Sequence, residues 1–280
     1  TTVSKTPKVN RRTKIVATVG PGSESEDMLG RLIHAGVDVF RLNFSHGSPE
    51  NHAVVAQKIR RQASHAGRYV GILADLQGPK IRINGFASGS VSLTAGDPFR
   101  LDLDVGKEDG DGRSVGVEYT PLPEQVVVDD VLLLDDGKLR LRVDDVTPRA
   151  VDCTVLIGGR LSSRKGVNKL GGGLAAPALT EKDLSDIAGM GAIEPDFVAV
   201  SFVSSREDID QARGLLADVG LSPAIVAKIE RAEVVADTAL LDSIITASDG
   251  IMVARGDLGV EVGDAQLIGI QKDLISRTRK

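Results

Sequence analysis

The sequence predicts an α/β fold: an incomplete TIM (β/α)8 barrel of six βα units, with a small antiparallel β-barrel domain inserted after the third strand. Three observations predict it. Short β-branched runs recur, and amphipathic stretches follow most of them at a spacing of about 25–30 residues, as right-handed βαβ units and a parallel sheet require. Polar and charged residues collect at the C-terminal ends of nearly every run, as they do at a barrel mouth; a doubly wound sheet would concentrate them at one switch point. Between residues about 84 and 174 the pattern changes to alternating apolar and polar residues with turns at Gly, Asp and Pro.

Composition is consistent with this. The chain has 280 residues, of which 41% are apolar, ordinary for a globular protein and long enough for two domains. Aromatics are 3% with no Trp, so the core must be Val, Ile, Leu and Ala, which suits a parallel sheet covered by helices. The net charge of −5 argues against nucleic acid or an anionic membrane as the main partner, but says little about a small anionic substrate. Cys153 is the only cysteine, which excludes an intrachain disulfide framework and a Cys-based zinc site and points to a reducing, cytoplasmic setting. No apolar run approaches the roughly 18 residues of a spanning helix.

Taken in order, the polar, basic residues 1–14 have no apolar core, so they read as a loose arm rather than a secretory signal. "TKIVATVG" (13–20), "VDVFRLNF" (37–44) and "YVGILADLQ" (69–77) are the first three strands. "SEDMLGRLIHAG" (25–36) and "PENHAVVAQKIRRQASHAG" (49–67) are helices, started by Ser25 and by Ser48–Pro49 and closed by Gly36 and Gly67. These define residues 1–83 as the first part of the barrel. Residues 84–174 form the inserted β domain, with "DDGK" (135–138) as a hairpin turn and "SSRKGVNKLGGG" (162–173) as a hinge. Residues 175–280 resume the barrel: Thr180 caps a helix, "DFVAVSFV" (196–203), "AIVAKIE" (224–230) and "GIMVARG" (250–256) are strands, and "SREDIDQARGLLADVG" (205–220) and "DAQLIGIQKDLISRTRK" (264–280) are helices. The chain ends after the sixth βα unit, so it reads as a fragment of a closed barrel.

The strand ends carry the candidate chemistry. Lys228 and Glu230 share one strand face, and ionised groups are rarely buried unless paired, metal-bound or used in chemistry. Asp257 ends the next strand. Alone it reads as a helix cap; with Glu230 it makes a two-carboxylate Mg2+ site completed by substrate oxygens and water. The free N–H groups at Gly256–Asp257 could hold a carboxylate or phosphate. Arg41, Asn43 and Ser45 recur at period 2; arginine suits a phosphoryl group, while Asn and Ser offer neutral oxygens to a cation. Asp75, Gln77, Lys80 and Arg82 lie where the third strand leaves for the insertion. His34, His52 and His65 fall in helical stretches and read as surface residues.

"TKIVATVGPGS", "RLNFSHG", "GPKIR", "SRKGVN", "VSFV", "AKIE" and "MVARGDLGVE" stand in the order and spacing of pyruvate kinase, a resemblance that runs from about residue 12 to the end. It implies phosphoryl transfer from phosphoenolpyruvate to ADP, giving pyruvate and ATP. It implies that Lys228 contacts the transferring phosphoryl, that Arg41 grips it, and that Glu230 and Asp257 hold Mg2+ (or Mn2+). The Gly256–Asp257 backbone would take the substrate carboxylate, and Arg41, His46 and Lys165 would face the nucleotide. It further implies a cytoplasmic homo-oligomer, tetrameric in the intact family member. Most familiar members hold K+ at positions matching Asn43, Ser45, Asp75 and a following threonine. Here Leu76 replaces that threonine, Gln77 a lysine and Lys80 a glutamate, which resembles the branch that needs no K+, with the Lys80 ammonium as internal substitute.

The family's last two barrel strands and its C-terminal domain have no counterpart in these 280 residues, so the chain alone is expected to be inactive or nearly so. Two other readings stand beside this one: a metal-dependent aldolase or lyase acting on pyruvate-like enolates, and a non-catalytic half-barrel module.

Overall fold

The computed structural model describes residues 11–279; the arm read at residues 1–14 lies outside the described residues as far as residue 10, as does Lys280. In chain order the elements begin with β1 (Val16–Thr18), α1 (Glu26–Ala35), β2 (Val39–Asn43), α2 (Pro49–His65) and β3 (Gly71–Asp75). The inserted strands follow: β4 (Ser90–Leu93), β5 (Pro98–Asp102), β6 (Ser114–Val115), β7 (Val131–Leu134), β8 (Leu139–Thr147), β9 (Ala150–Ile157), β10 (Gly159–Ser162) and β11 (Val167–Lys169). The chain then resumes with α3 (Glu181–Ala188), β12 (Phe197–Val200), α4 (Arg206–Asp218) and β13 (Ala224–Ile229). It finishes with α5 (Ala232–Ala236), α6 (Thr238–Ala247), β14 (Gly250–Val253), α7 (Arg255–Val262) and α8 (Asp264–Thr278). Among the described residues no helix is long and apolar enough to cross a membrane.

The residues group into two compact units. Among the described residues, the first comprises those up to 78, 178–228 and 243–252, and the second 79–177, 229–242 and those from 253 on. The first is built around one six-stranded sheet in the order β1-β2-β3-β12-β13-β14. Neighbouring pairs from β1 to β13 are parallel. The order never reverses. A doubly wound sheet reverses at its switch point, so this is the winding of a barrel wall, six strands of it. Its central strands β3, β12 and β13 are the most buried, as strands covered on both faces require: Ile72, Ala74, Val198, Ala199, Val200, Ile225 and Ala227 are all inaccessible to solvent.

The helices start and stop where their end residues dictate. Ser25 accepts from the Met28 amide, and Gly36 closes α1 with φ +106°, a left-handed conformation that costs glycine little. Thr180 and Asp183 form a reciprocal capping box on α3. Asp183 is fully buried, and its second carboxylate oxygen accepts from the Gly78 amide at 3.2 Å, tying the exit of β3 to this helix.

In the second unit, β11-β7-β8-β9-β5-β6 form a six-stranded sheet and β10 pairs with β4. β8 alternates buried Leu139, Leu141 and Val143 with exposed Arg140, Arg142 and Asp144, the period of a sheet with one face on a core. That core includes Phe99, Leu101, Leu132, Leu134, Val151, Cys153 and Val155. Burial pushes the Cys153 thiol up to about 12, so it is an inert core residue. The expected hairpin at 135–138 joins β7 to β8, with Asp135, Asp136 and Gly137 all at positive φ (49°, 57° and 82°). Three consecutive left-handed residues explain the need for Asp-Asp-Gly at this turn.

Candidate active site

In the first unit the ends of β2, β3 and β13 place two cations on one carboxylate. Arg41 Nε donates to Asp75 Oδ2 at 2.5 Å, and Lys228 Nζ lies 3.2 Å from Asp75 Oδ1. The Asp75 side chain is 2% exposed, Lys228 11% and Arg41 26%, so the carboxylate is sealed while the arginine head reaches solvent. Arg41 also donates to Thr18 Oγ1 at 2.9 Å. Lys228 donates to Ser201 Oγ at 2.7 Å, and that hydroxyl donates to the Leu76 carbonyl at 2.7 Å, which fixes its direction. Two cations thus share the Asp75 carboxylate at the strand ends.

Gly78 belongs to this scaffold. Its φ is +66°, and a Cβ there would stand 2.6 Å from Ser201 Cβ, so glycine is required beside the residue that orients Lys228.

Asn43 and Ser45 form a local loop: Asn43 Oδ1 accepts from the Ser45 amide at 3.1 Å, an Asx-type turn. His46 is exposed, and its carbonyl lies 2.9 Å from His52 Nε2. His52, read from the sequence as a surface residue, is half-buried and packs on Phe44 with ring centroids 4.4 Å apart. Burial depresses its basicity below that of a free imidazole. Both histidines line a cleft of about 780 Å³ whose other walls include Thr18, Pro21, Asn43, Asn51 and Lys58.

In the second unit, Glu230 is 1% exposed. Helix α7 starts at Arg255 after Ala254, with no side-chain cap, so Asp257 is not the capping residue. Its carboxylate instead lies 3.5 Å from Lys80 Nζ, which is also 3.6 Å from Asp136 Oδ1. Lys165 Nζ pairs with Asp135 Oδ1 at 2.8 Å and holds that carboxyl below the usual range. A Cβ built on Gly256 would meet nothing within 4 Å, so its backbone is open to an approaching group. Among the described residues no group of three or more His, Cys, Asp or Glu side chains could hold a metal ion. A set of two carboxylates fits Mg2+ or Mn2+, which keep waters and take substrate oxygens, better than a zinc-type cage.

Glu261 is a buried carboxyl that the sequence reading did not single out. Burial pushes it up to about 7, and the Glu233 charge adds to this against hydrogen bonds from the Ala232 amide (2.9 Å) and Asn168 (3.4 Å). Because it holds its proton more tightly folded than unfolded, its contribution is complete below pH 4.5 and is lost as pH rises through about 7. Urea unfolding is expected to show stability falling between pH 5 and 8 by up to roughly 3 kcal/mol from this group. Glu261→Gln is expected to remove that decline.

The family model for the pyruvate kinase barrel domain matches residues 10–280. The chain belongs to the pyruvate kinase family. It is 54% identical over 270 residues to pyruvate kinase II of Salmonella typhimurium, covering 96% of this chain and 56% of that protein. It is 52% identical to pyruvate kinase of Haemophilus influenzae, again over 96% of this chain and 56% of the relative. It is 40% identical over 272 residues to pyruvate kinase of Mycobacterium tuberculosis, over 97% and 57% respectively. The chain therefore spans about half the length of the curated relatives it matches. Asp75 was singled out from the sequence among the positions matching a monovalent-cation site, and the structure adds that it is the shared partner of Arg41 and Lys228. Ser201 stood among the strand-end polar residues, but nothing in a strand pattern says that its hydroxyl would orient a lysine from the next strand.

Proposed function

We propose that this chain carries the phosphoryl-transfer site of a pyruvate kinase, moving the phosphoryl group of phosphoenolpyruvate to ADP. The observation that carries the reading is the Arg41–Asp75–Lys228 cluster, which holds a guanidinium and an ammonium together at the strand ends. Phosphoryl transfer needs positioning and charge neutralisation more than covalent chemistry. Arg41 grips the phosphoryl oxygens in its planar fork. Lys228, directed by Ser201, neutralises the charge that grows on the group in flight. Glu230 and Asp257 would hold the divalent ion, which supplies charge neutralisation to the substrate oxygens. The open backbone at Gly256–Asp257 receives the substrate carboxylate. The cleft beside His46 takes the nucleotide, and Lys165, in the inserted domain at 84–174 that separates the barrel parts at 1–83 and 175–280, is a second candidate nucleotide contact.

Lys80 stands in for a monovalent cation. Its ammonium already faces the carboxylates of Asp257 and Asp136, so a fixed charge is in place without K+. The test is a titration of phosphoenolpyruvate into the chain with Mn2+ present. Binding is expected to require the divalent ion and to be unchanged when tetramethylammonium is replaced by K+. Lys80→Glu is expected to make it respond to K+. Binding that strengthens strongly with K+ in the unaltered chain would refute the substitution. The intact protein is read as a cytoplasmic homo-oligomer.

A further inference from the structure

We propose that Asp136, at the tip of the β7–β8 hairpin, is a positioning residue that latches the inserted β segment onto α7 through the Lys80 ammonium. The proposal rests on the reading of Asp257 as an ion-holding carboxylate, since that is the group the latch meets.

Four observations within the second unit converge on it. Lys80 Nζ lies 3.6 Å from Asp136 Oδ1 and 3.5 Å from Asp257 Oδ1, so one ammonium bridges the hairpin tip and the first turn of α7. The tip is held in shape independently: Asp135 pairs with Lys165 at 2.8 Å and with Lys138 at 3.0 Å, and its amide donates to the Gly166 carbonyl at 3.2 Å. Gly137 faces α7, where an added Cβ would stand 3.9 Å from Val260 Cγ1. At Gly166 an added Cβ would stand 3.2 Å from Lys80 Cε and 4.0 Å from Asp136 Oδ1, so the missing side chain keeps the lysine's path to Asp136 open.

The strength suits a reversible device. Asp136 is 59% exposed, Asp257 32% and Lys80 28%. Solvent-screened pairs of this kind change an opening equilibrium by only about 1.4- to 5-fold. A reversible latch needs a contact of that size rather than a permanent one. Asp136 also fixes where the lysine charge is spent. Without it, the whole ammonium turns to Asp257 and competes for the oxygen that the ion needs.

The test is backbone hydrogen exchange of residues 135–138 in the metal-free 280-residue chain, read as a double-mutant cycle. Asp136→Asn is suited to it because asparagine tolerates the left-handed conformation of this position. Exchange is expected to rise about two- to five-fold in Asp136→Asn, and Asp136→Asn is expected to add nothing in a Lys80→Met background. Gly166→Ala, which crowds the lysine stem, is expected to raise it as well. Asp210→Asn, on an exposed pair of α4, is the control and leaves it unchanged. Unchanged exchange in Asp136→Asn, or an equal rise with and without Lys80, would overturn the latch. Mn2+ titration of the unaltered chain by electron paramagnetic resonance separates the two ideas. Absence of binding counts against the ion-holding role of Asp257, whereas the exchange cycle decides the latch.

Discussion

Replacing Asp75 with alanine is expected to lower the unfolding free energy by about 3–5 kcal/mol, the cost of breaking a buried charge pair by removing one partner. The Asp75 carboxylate meets both the Arg41 guanidinium and the Lys228 ammonium, and its side chain is 2% exposed. Its removal takes the shared carboxylate from both cations and leaves a void, and Lys228, 11% exposed, cannot replace that contact with water without moving. The loss should be strongly non-additive. Lys228→Met alone also breaks the pair, so the double variant is expected to be at least 1 kcal/mol less destabilised than the sum of the singles. Urea unfolding of the four proteins measures this. A cost below about 1 kcal/mol for Asp75→Ala would show that the cluster is not the buried hub described above.

Replacing Lys228 with methionine has the largest functional effect expected of any single change. Methionine fills most of the lysine's volume and removes only the ammonium that Ser201 and Asp75 direct. Truncating one partner of a buried charge pair costs about 2–5 kcal/mol of affinity, so phosphoenolpyruvate binding should weaken by at least about 30-fold. Wherever the protein turns over, transfer should fall by a further 10²–10³, roughly what losing one pre-organised donor to a developing charge costs. Lys228→Arg is not expected to rescue it, because a planar fork cannot occupy the place of a compact ammonium set between the Ser201 hydroxyl and the Asp75 carboxylate.

Much of this architecture was legible in the sequence because its signals are local. Period-2 and helical runs marked the barrel strands and helices, Ser25 and Thr180 marked helix starts, and Asp-Asp-Gly marked the 135–138 turn. The incomplete barrel was legible from the polar strand ends, and the strand order confirms it. What escaped was pairwise and non-local. Asp75 and Lys228 are far apart in the chain, and only the parallel register of β3, β12 and β13 brings their ends side by side. His52 read as a surface residue because a helical pattern does not reveal that Phe44 turns its ring against it. Glu261, on a short helix rich in Gly and Val, carries no sequence mark of its burial beneath the Ala232 amide.

The most direct test follows the 31P resonance of phosphoenolpyruvate as Mn2+ is added to the chain, alongside the same titration of Lys228→Met and Glu230→Gln. The account predicts strong paramagnetic broadening with the unaltered chain, because the ion and the phosphoryl group would occupy one site, and little or none with either variant. Broadening that persists unchanged in both variants would place ion and phosphate elsewhere, and would contradict the assignment of Lys228 and Glu230.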